Sequence, residues 1–122
     1  MSKASEIMKE LNPNALIGIE SDGRICMVEH VIDPDGRMFS IEIQATPDGK
    51  KAIGFCRYNP WGKNPYSYIE SHLHEDEFLC LGNDVHKDLY SSPMDVETAI
   101  LRARYWCTAF SRLMESGEFP DP

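Results

Sequence analysis

Three Asp-Gly dipeptides divide the first half of the chain into four apolar runs, and this spacing constrains the fold more than any other feature. Their glycines are Gly23, Gly36 and Gly49. Asp-Gly is a strong hairpin signal because tight turns need residues that tolerate positive φ. The runs beside the turns cover residues 15–20, 25–32, 38–45 and 51–58. The sequence therefore predicts a four-stranded antiparallel β-meander.

The third run has the alternation of a strand with one buried face. Phe39, Ile41 and Ile43 alternate with Ser40 and Glu42. Side chains two apart on a strand share a face, so one face is apolar and the other is polar. The apolar face needs a covering element.

A long amphipathic pattern at the end of the chain predicts a helix that covers the sheet. Its apolar residues recur at steps of three and four: Val96, Ala99, Ile100, Ala103, Trp106, Cys107, Phe110, Leu113 and Met114. Ser92-Pro93-Met94-Asp95 predicts the start and Gly117 the end, which gives about 22–24 residues. A shorter helix is predicted over residues 3–11, before Pro13. The expected fold class is α+β in a single domain of 122 residues.

The segment between the meander and the long helix is less regular. Residues 59–65 contain two prolines, a glycine and two asparagines, which predicts a loop. Residues 66–70 are predicted to be extended, and residues 78–81 to form a strand or a turn. The aromatic residues Trp61, Tyr66 and Tyr68 either form an exposed partner-binding surface or pack back onto the sheet.

Charge and hydropathy exclude several classes of function. The net charge is −8 and the isoelectric point is near 4.9, which argues against nucleic acid as a partner. The local group Arg102, Arg104 and Arg112 is expected to form the solvated face of the helix. No apolar run approaches the ~18 residues of a membrane span, and the N-terminus lacks the apolar region of a signal peptide. We expect a cytoplasmic protein without a membrane partner.

The four cysteines form no Cys-x-x-Cys pair, so neither a zinc ribbon nor a thioredoxin motif is predicted. In a cytosolic chain the default is four reduced thiols. We assign Cys26, Cys56 and Cys107 to the core, and His30 to the sheet. Cys80 is the exception, because it follows a group of histidines.

Cys80 allows three interpretations. It could be a nucleophile beside His72 and His74, or a small buried residue between Leu79 and Leu81. A metal site is the third, since His72 and His74 on an extended chain would point to one face, with Cys80 or His86 as a further ligand. The spacing matches no zinc module.

The order of elements resembles the ubiquitin-conjugating-enzyme fold, especially its trimmed prokaryotic members. Those members often carry His-x-His, an acidic or glycine-containing turn and then Leu-Cys-Leu. Here His72-Leu73-His74 is followed by an acidic turn and Leu79-Cys80-Leu81, and Asn64-Pro65 resembles a remnant of the family's proline-rich segment. The family's asparagine is absent, and His74 stands in its place.

The resemblance implies that Cys80 forms a thioester with the C-terminus of a ubiquitin-like protein, delivered by its activating enzyme. The acyl group then passes to an amine. A ring N–H of His74 would stabilise the oxyanion, His72 would fix the turn, and Asp84 would orient the incoming lysine. No cofactor or metal is implied. The alternative is a non-catalytic adaptor or chaperone-like module of the same α+β shape.

Overall fold

The four apolar runs form one antiparallel sheet in the order of the chain, as the Asp-Gly turns predict. The structure is a computed structural model that describes residues 2–82 and 87–120. The strands are β1 (Leu16–Ile19), β2 (Ile25–Ile32), β3 (Met38–Ala45) and β4 (Ala52–Tyr58). Each of the three predicted turn glycines has a φ between 75° and 91°. A residue with a Cβ would be strained at these positions.

Two longer helices pack with the sheet around one core. The first, α1 (Lys3–Leu11), has the predicted bounds, and α3 (Val96–Ser116) covers the sheet with 21 residues. A single helical turn, α2 (Tyr68–Ser71), and a 3₁₀ turn at Leu89–Ser91 lie between them. The α+β fold class is confirmed. In the described part of the chain, no helix combines the length and apolar composition needed to cross a bilayer.

Two local predictions about these helices are wrong. Residues 66–70 were expected to be extended, but Ser67 and Glu70 cap each other reciprocally, and this capping box starts α2. The long helix does not start at Ser92, because the Ser92 hydroxyl instead donates to the carbonyl of Ala52 on β4. Asp95 is the N-cap, and its carboxylate accepts from the Thr98 amide at 2.8 Å. The predicted end at Gly117 is confirmed.

The main core lies between α3 and one face of the sheet. Phe39 on β3 makes edge-to-face contacts with Trp106 and Phe110 of α3, with ring centroids 5.9 and 6.3 Å apart. The alternating residues Ile41 and Ile43 are fully buried on the same face. The predicted cover of the meander by the long helix is therefore confirmed.

The loop after β4 packs onto α3. The Trp61 indole N–H donates to the Ser111 hydroxyl at 3.0 Å, and that hydroxyl donates to the buried carboxylate of Asp33 at 2.6 Å. The Arg37 guanidinium lies 4.0 Å from the Trp61 ring centroid. Tyr66 reaches the same helix, because its hydroxyl donates to the Leu113 carbonyl at 3.4 Å. Trp61 and Tyr66 thus pack back onto the fold.

A buried ion pair joins α1, β2 and α3. Glu29 is 5% exposed on the helix side of β2 and accepts from the Arg104 guanidinium at 2.9 Å. Asn12 donates to the same carboxylate at 2.9 Å, and Arg104 also donates to the Leu11 carbonyl at 3.0 Å. The expectation that Arg104 belongs to a solvated helix face is wrong, because Arg104 pairs with the Glu29 carboxylate on β2. The spacing of residues along the helix does not reveal this pairing.

We expect Arg104→Met to lower the free energy of unfolding by about 3 kcal/mol, because Glu29 would keep a buried charge without its partner. Urea unfolding measures this difference. Arg112→Met, on the exposed side of the same helix, is the matched control and should change stability by no more than about 0.5 kcal/mol. Equal effects of the two substitutions would contradict a structural role for the pair.

Candidate functional site

The stretch from His72 to Cys80 forms a tight hairpin directly after α2. The Cys80 amide donates to the His72 carbonyl at 2.8 Å, and the His74 amide donates to the Phe78 carbonyl at 2.9 Å. His72 also caps α2, since its amide donates to the Tyr68 carbonyl at 2.7 Å, and its φ is 59°. The backbone of His72 therefore makes the hydrogen bonds that fix the turn.

The far arm of this hairpin adds to the free edge of β4. The Leu79 amide donates to the Gly54 carbonyl, and the Cys56 amide donates to the Glu77 carbonyl, both at 2.9 Å. Leu79 and Leu81 point into the core and are buried. A Cβ on Gly54 would lie 3.0 Å from the Leu81 side chain, so a larger residue at this position would require Leu81 to shift.

Cys80 differs from the other three cysteines. Cys80 is partly exposed, whereas Cys26, Cys56 and Cys107 are buried, as predicted for these three. The interpretation of Cys80 as a small buried residue does not fit this exposure. The neighbouring Leu79 and Leu81 are buried in the core, so Cys80 is the accessible residue of the three.

Burial also makes the other thiols poor nucleophiles. It raises the pKa of Cys56 to about 12 and, together with the nearby Glu42 and Glu20 carboxylates, that of Cys26 to about 12. Burial likewise raises the pKa of Cys107. The thiolate is the reactive form of cysteine, so these three remain protonated at neutral pH. Cys80 is the candidate nucleophile.

Cys80 opens into a cavity of about 420 Å³ between the hairpin, α3 and the C-terminal segment. This volume lies within the range of about 300–1,000 Å³ that is typical of ligand sites. The hairpin side of the wall includes His72 and Leu81, and the α3 side includes Trp106. The segment after α3 contributes Phe119 and Pro120. The arrangement places a thiol at the wall of a largely apolar cavity.

Arg102 is a cavity residue that the sequence did not indicate. Its guanidinium donates to the Leu81 carbonyl at 2.8 Å and holds the chain just after Cys80. Gly82 has a φ of 97°, and a Cβ there would lie 2.6 Å from the guanidinium. The helical pattern places Arg102 on the polar side of α3, but it does not show that the hairpin ends over that position.

The two histidines of the hairpin lie in different surroundings. The His72 ring lines the cavity, 4.5 Å from the Phe119 ring centroid, and burial lowers its pKa. The His74 ring instead stacks on Tyr68 at 4.6 Å and lies 5.6 Å from Phe78. His74 is not among the described residues that line the cavity. His72 and Cys80 therefore line the same cavity, whereas His74 lies outside its described lining.

His74 is also unusual in its polar contacts. Its Nε2 is buried and has no hydrogen-bond partner among the residues described. Burial and the positive charge of Lys87 lower its pKa, against the opposing effect of Asp76. A neutral ring avoids an uncompensated charge in this position.

The prediction that His72 and His74 point to one face and could bind a metal ion together is wrong. It assumed an extended backbone, but His72 adopts the left-handed conformation. Within residues 2–82 and 87–120, no three His, Cys, Asp or Glu side chains are close enough together to hold a metal ion. Asp84 and His86, the predicted lysine-orienting residue and possible metal ligand, lie outside the described residues.

Comparisons of the chain with protein-family models, with curated proteins and with solved structures found no match.

We expect the protein to lose stability between about pH 7.5 and pH 5.5 because of His72 and His74. Their pKa values are lowered by folding, so the unfolded chain takes up protons first as the pH falls, which favours unfolding. Urea unfolding at the two pH values measures the loss. The double variant His72→Asn, His74→Phe should lose less, since Asn tolerates the left-handed backbone and Phe retains the stacking. An equal loss in both proteins would contradict this assignment.

We expect a limiting amount of iodoacetamide at neutral pH to label Cys80 first in the native protein. The other thiols should react only after unfolding, because burial keeps them protonated and inaccessible. Mass spectrometry of the digested protein identifies the labelled position. Labelling of Cys26 or Cys107 while Cys80 stays protected would remove Cys80 as a nucleophile.

Proposed function

We propose that this protein is a ubiquitin-conjugating-enzyme-like carrier in the cytoplasm. Cys80 would accept the C-terminal acyl group of a ubiquitin-like protein from its activating enzyme and pass it to an amine. The observation that carries this proposal is the position of Cys80: the one partly exposed cysteine of the four lies at the wall of a 420 Å³ cavity.

The order of elements supports the proposal. The resemblance to ubiquitin-conjugating enzymes predicts a short helix, a four-stranded meander, a cysteine-bearing segment and a long helix. The chain has α1, β1 to β4, the hairpin that carries Cys80, and α3 in this order. The His-x-His and Leu-Cys-Leu sequences form the two arms of that hairpin.

The proposed reaction has two acyl transfers. In the first, the Cys80 thiolate attacks the thioester carbonyl of the donor. A new C–S bond forms, and the C–S bond to the activating enzyme breaks to release its thiolate. In the second, a target amine attacks the Cys80 thioester, a C–N bond forms, and the Cys80 sulfur leaves as thiolate while the amine loses a proton to water. Sulfur suits both steps as nucleophile and leaving group.

The oxyanion of each step needs a hydrogen-bond donor, and the surroundings of Cys80 favour Arg102 over His74 for this role. Arg102 lines the cavity with Cys80, whereas the described lining does not include His74. A guanidinium is permanently charged and carries five N–H donors. Its bond to the Leu81 carbonyl holds it in place before the substrate arrives, which is what electrostatic stabilisation requires.

A non-catalytic adaptor is the second candidate, and the edge strand β1 is the observation that favours it. Leu16 and Ile19 are 71% and 74% exposed on this four-residue strand. An exposed sheet edge can accept a strand from a partner. The two candidates differ in their need for Cys80, so a test of acyl loading separates them.

We expect the native protein to accept an acyl group from a peptide thioester at Cys80. Intact-mass spectrometry without reductant should show one added peptide, which dithiothreitol removes and free lysine discharges. Cys80→Ala should not load, whereas Cys26→Ala, the matched control at a buried thiol, should load normally. Loading that persists in Cys80→Ala would contradict the assignment. No loading in any protein, with the peptide shown to react with free cysteine, would favour the adaptor.

A further inference from the structure

We infer that the outer edge of β1 binds an extended segment of a partner protein in which a basic side chain stands between apolar ones. The segment would pair with β1 as an additional strand of the sheet. This surface is separate from the cavity beside Cys80, so the inference does not rest on the proposed acyl transfer. It follows from the direction of the backbone groups, the open surface and the charge at β1.

Two residues of β1 direct their backbone groups away from the rest of the sheet. The Glu20 amide, at the end of β1, donates to the Arg24 carbonyl at 2.9 Å, so Glu20 faces β2. Backbone groups alternate in direction along an antiparallel strand, so Ile17 and Ile19 face the opposite way. Within residues 2–82 and 87–120, no strand pairs with β1 on that side. The N–H and C=O groups of Ile17 and Ile19 are therefore placed to pair with an incoming strand.

An open depression of about 330 Å³ lies beside these groups, on the sheet face turned away from α3. Leu16 pairs with Val28 on β2, and Val28 pairs with Glu42 on β3, so these three side chains share that face. A Cβ added at Gly18 would have no described atom within 4 Å apart from its chain neighbours. Glycine in a strand marks places where another backbone or a ligand approaches closely. A side chain of an additional strand therefore has room to cross β1 at Gly18.

Two carboxylates make this depression acidic. Glu20 and Glu42 both line it. Burial and then the charges of Glu42 and Glu20 raise the pKa of the Cys26 thiol, so both carboxylates lie near this sulfur. Glu42 pairs with Arg57 at 2.9 Å, but none of the twelve Lys and Arg side chains, all of them in the described part of the chain, forms an ion pair with Glu20. A basic side chain on the incoming strand would neutralise Glu20.

The remaining surface of β1 favours apolar residues on both sides of that basic residue. Leu16 is 71% exposed on the face of the depression, and Ile19 is 74% exposed on the other face. An antiparallel partner strand would place successive residues opposite Ile19, Gly18, Ile17 and Leu16. The residue opposite Gly18 can reach the carboxylates, and the others meet apolar side chains. The expected pattern is apolar-basic-apolar-apolar.

A second copy of this chain is a poorer occupant of the edge. The sequence of β1, Leu16–Ile19, contains no basic residue. Pairing of β1 with β1 of another copy would bring a second Glu20 to the interface, and the net charge of −8 on each chain opposes association. A basic segment instead supplies the complementary charge, which favours encounter and selects against acidic partners. The occupant is therefore assigned to a different protein.

The test measures binding of four fluorescein-labelled peptides to the native protein by fluorescence anisotropy. The first contains Val-Lys-Val-Ile, and two others replace its lysine by glutamate or glutamine. The fourth keeps the lysine but carries a methyl group on the backbone nitrogens of both valines, which would face β1. We expect the lysine peptide to bind about tenfold or more tightly than the glutamate peptide at low salt, with a smaller ratio at high salt. The glutamine peptide should lie between them, and the methylated peptide should not bind.

Substitutions in the protein assign this preference to β1. Glu20→Gln should lower the lysine-to-glutamate ratio to about threefold, whereas Glu97→Gln, at an exposed carboxylate on α3, is the matched control and should not change it. Gly18→Val should weaken the lysine peptide by obstructing the crossing point, with an unchanged urea midpoint because its Cβ meets open space. Cys80→Ala should bind like the native protein.

Equal affinities for the lysine and glutamate peptides would overturn this inference. Binding of the methylated peptide as tightly as the lysine peptide would also overturn it, because side chains alone would then engage the sheet face. A native dimer in sedimentation experiments that Ile19→Lys dissociates would assign the edge to a second copy instead. Failure of all four peptides to bind would overturn the inference and leave the loading of Cys80 as a separate question.

Discussion

The pairing of the hairpin arm with the edge of β4 is the constraint on which the candidate site depends. The amide of Leu79 and the carbonyl of Glu77 satisfy backbone groups of β4 that would otherwise remain open at a sheet edge. Leu79 and Leu81 of the same arm are buried, whereas Cys80 between them is partly exposed and lines the cavity against α3. The backbone bonds that extend the sheet therefore also fix the segment that carries Cys80 at the cavity wall.

The long helix α3 has two functions in this structure. Its apolar side supplies Trp106 and Phe110 to the core against β3. Its polar side is not uniformly solvated, because Arg104 reaches the buried Glu29 and Arg102 reaches the carbonyl of Leu81. One arginine thereby secures the helix on the sheet, and the other secures the end of the hairpin. The geometry of the site is thus coupled to the packing of the core.

Local patterns predicted most of the fold. The turn glycines, the alternation on β3 and the apolar spacing on α3 are signals within short segments, and each was confirmed. The site was harder to predict because it depends on contacts between distant segments. The left-handed backbone of His72 separates it from His74, and Arg102 reaches the hairpin from 21 residues away. The start of α3 was misplaced for the same reason, since Ser92 bonds to β4.

We propose that this fold makes Cys80 an acyl acceptor, and the rate of Cys80 acylation in two contexts tests this proposal. A peptide thioester would react with the native protein and with a synthetic peptide of residues 72–82, which contains the same thiol without the cavity. We expect the native protein to react faster by about tenfold or more, because Arg102 and the cavity wall would hold the reacting groups. An equal or slower reaction of the native protein would contradict it.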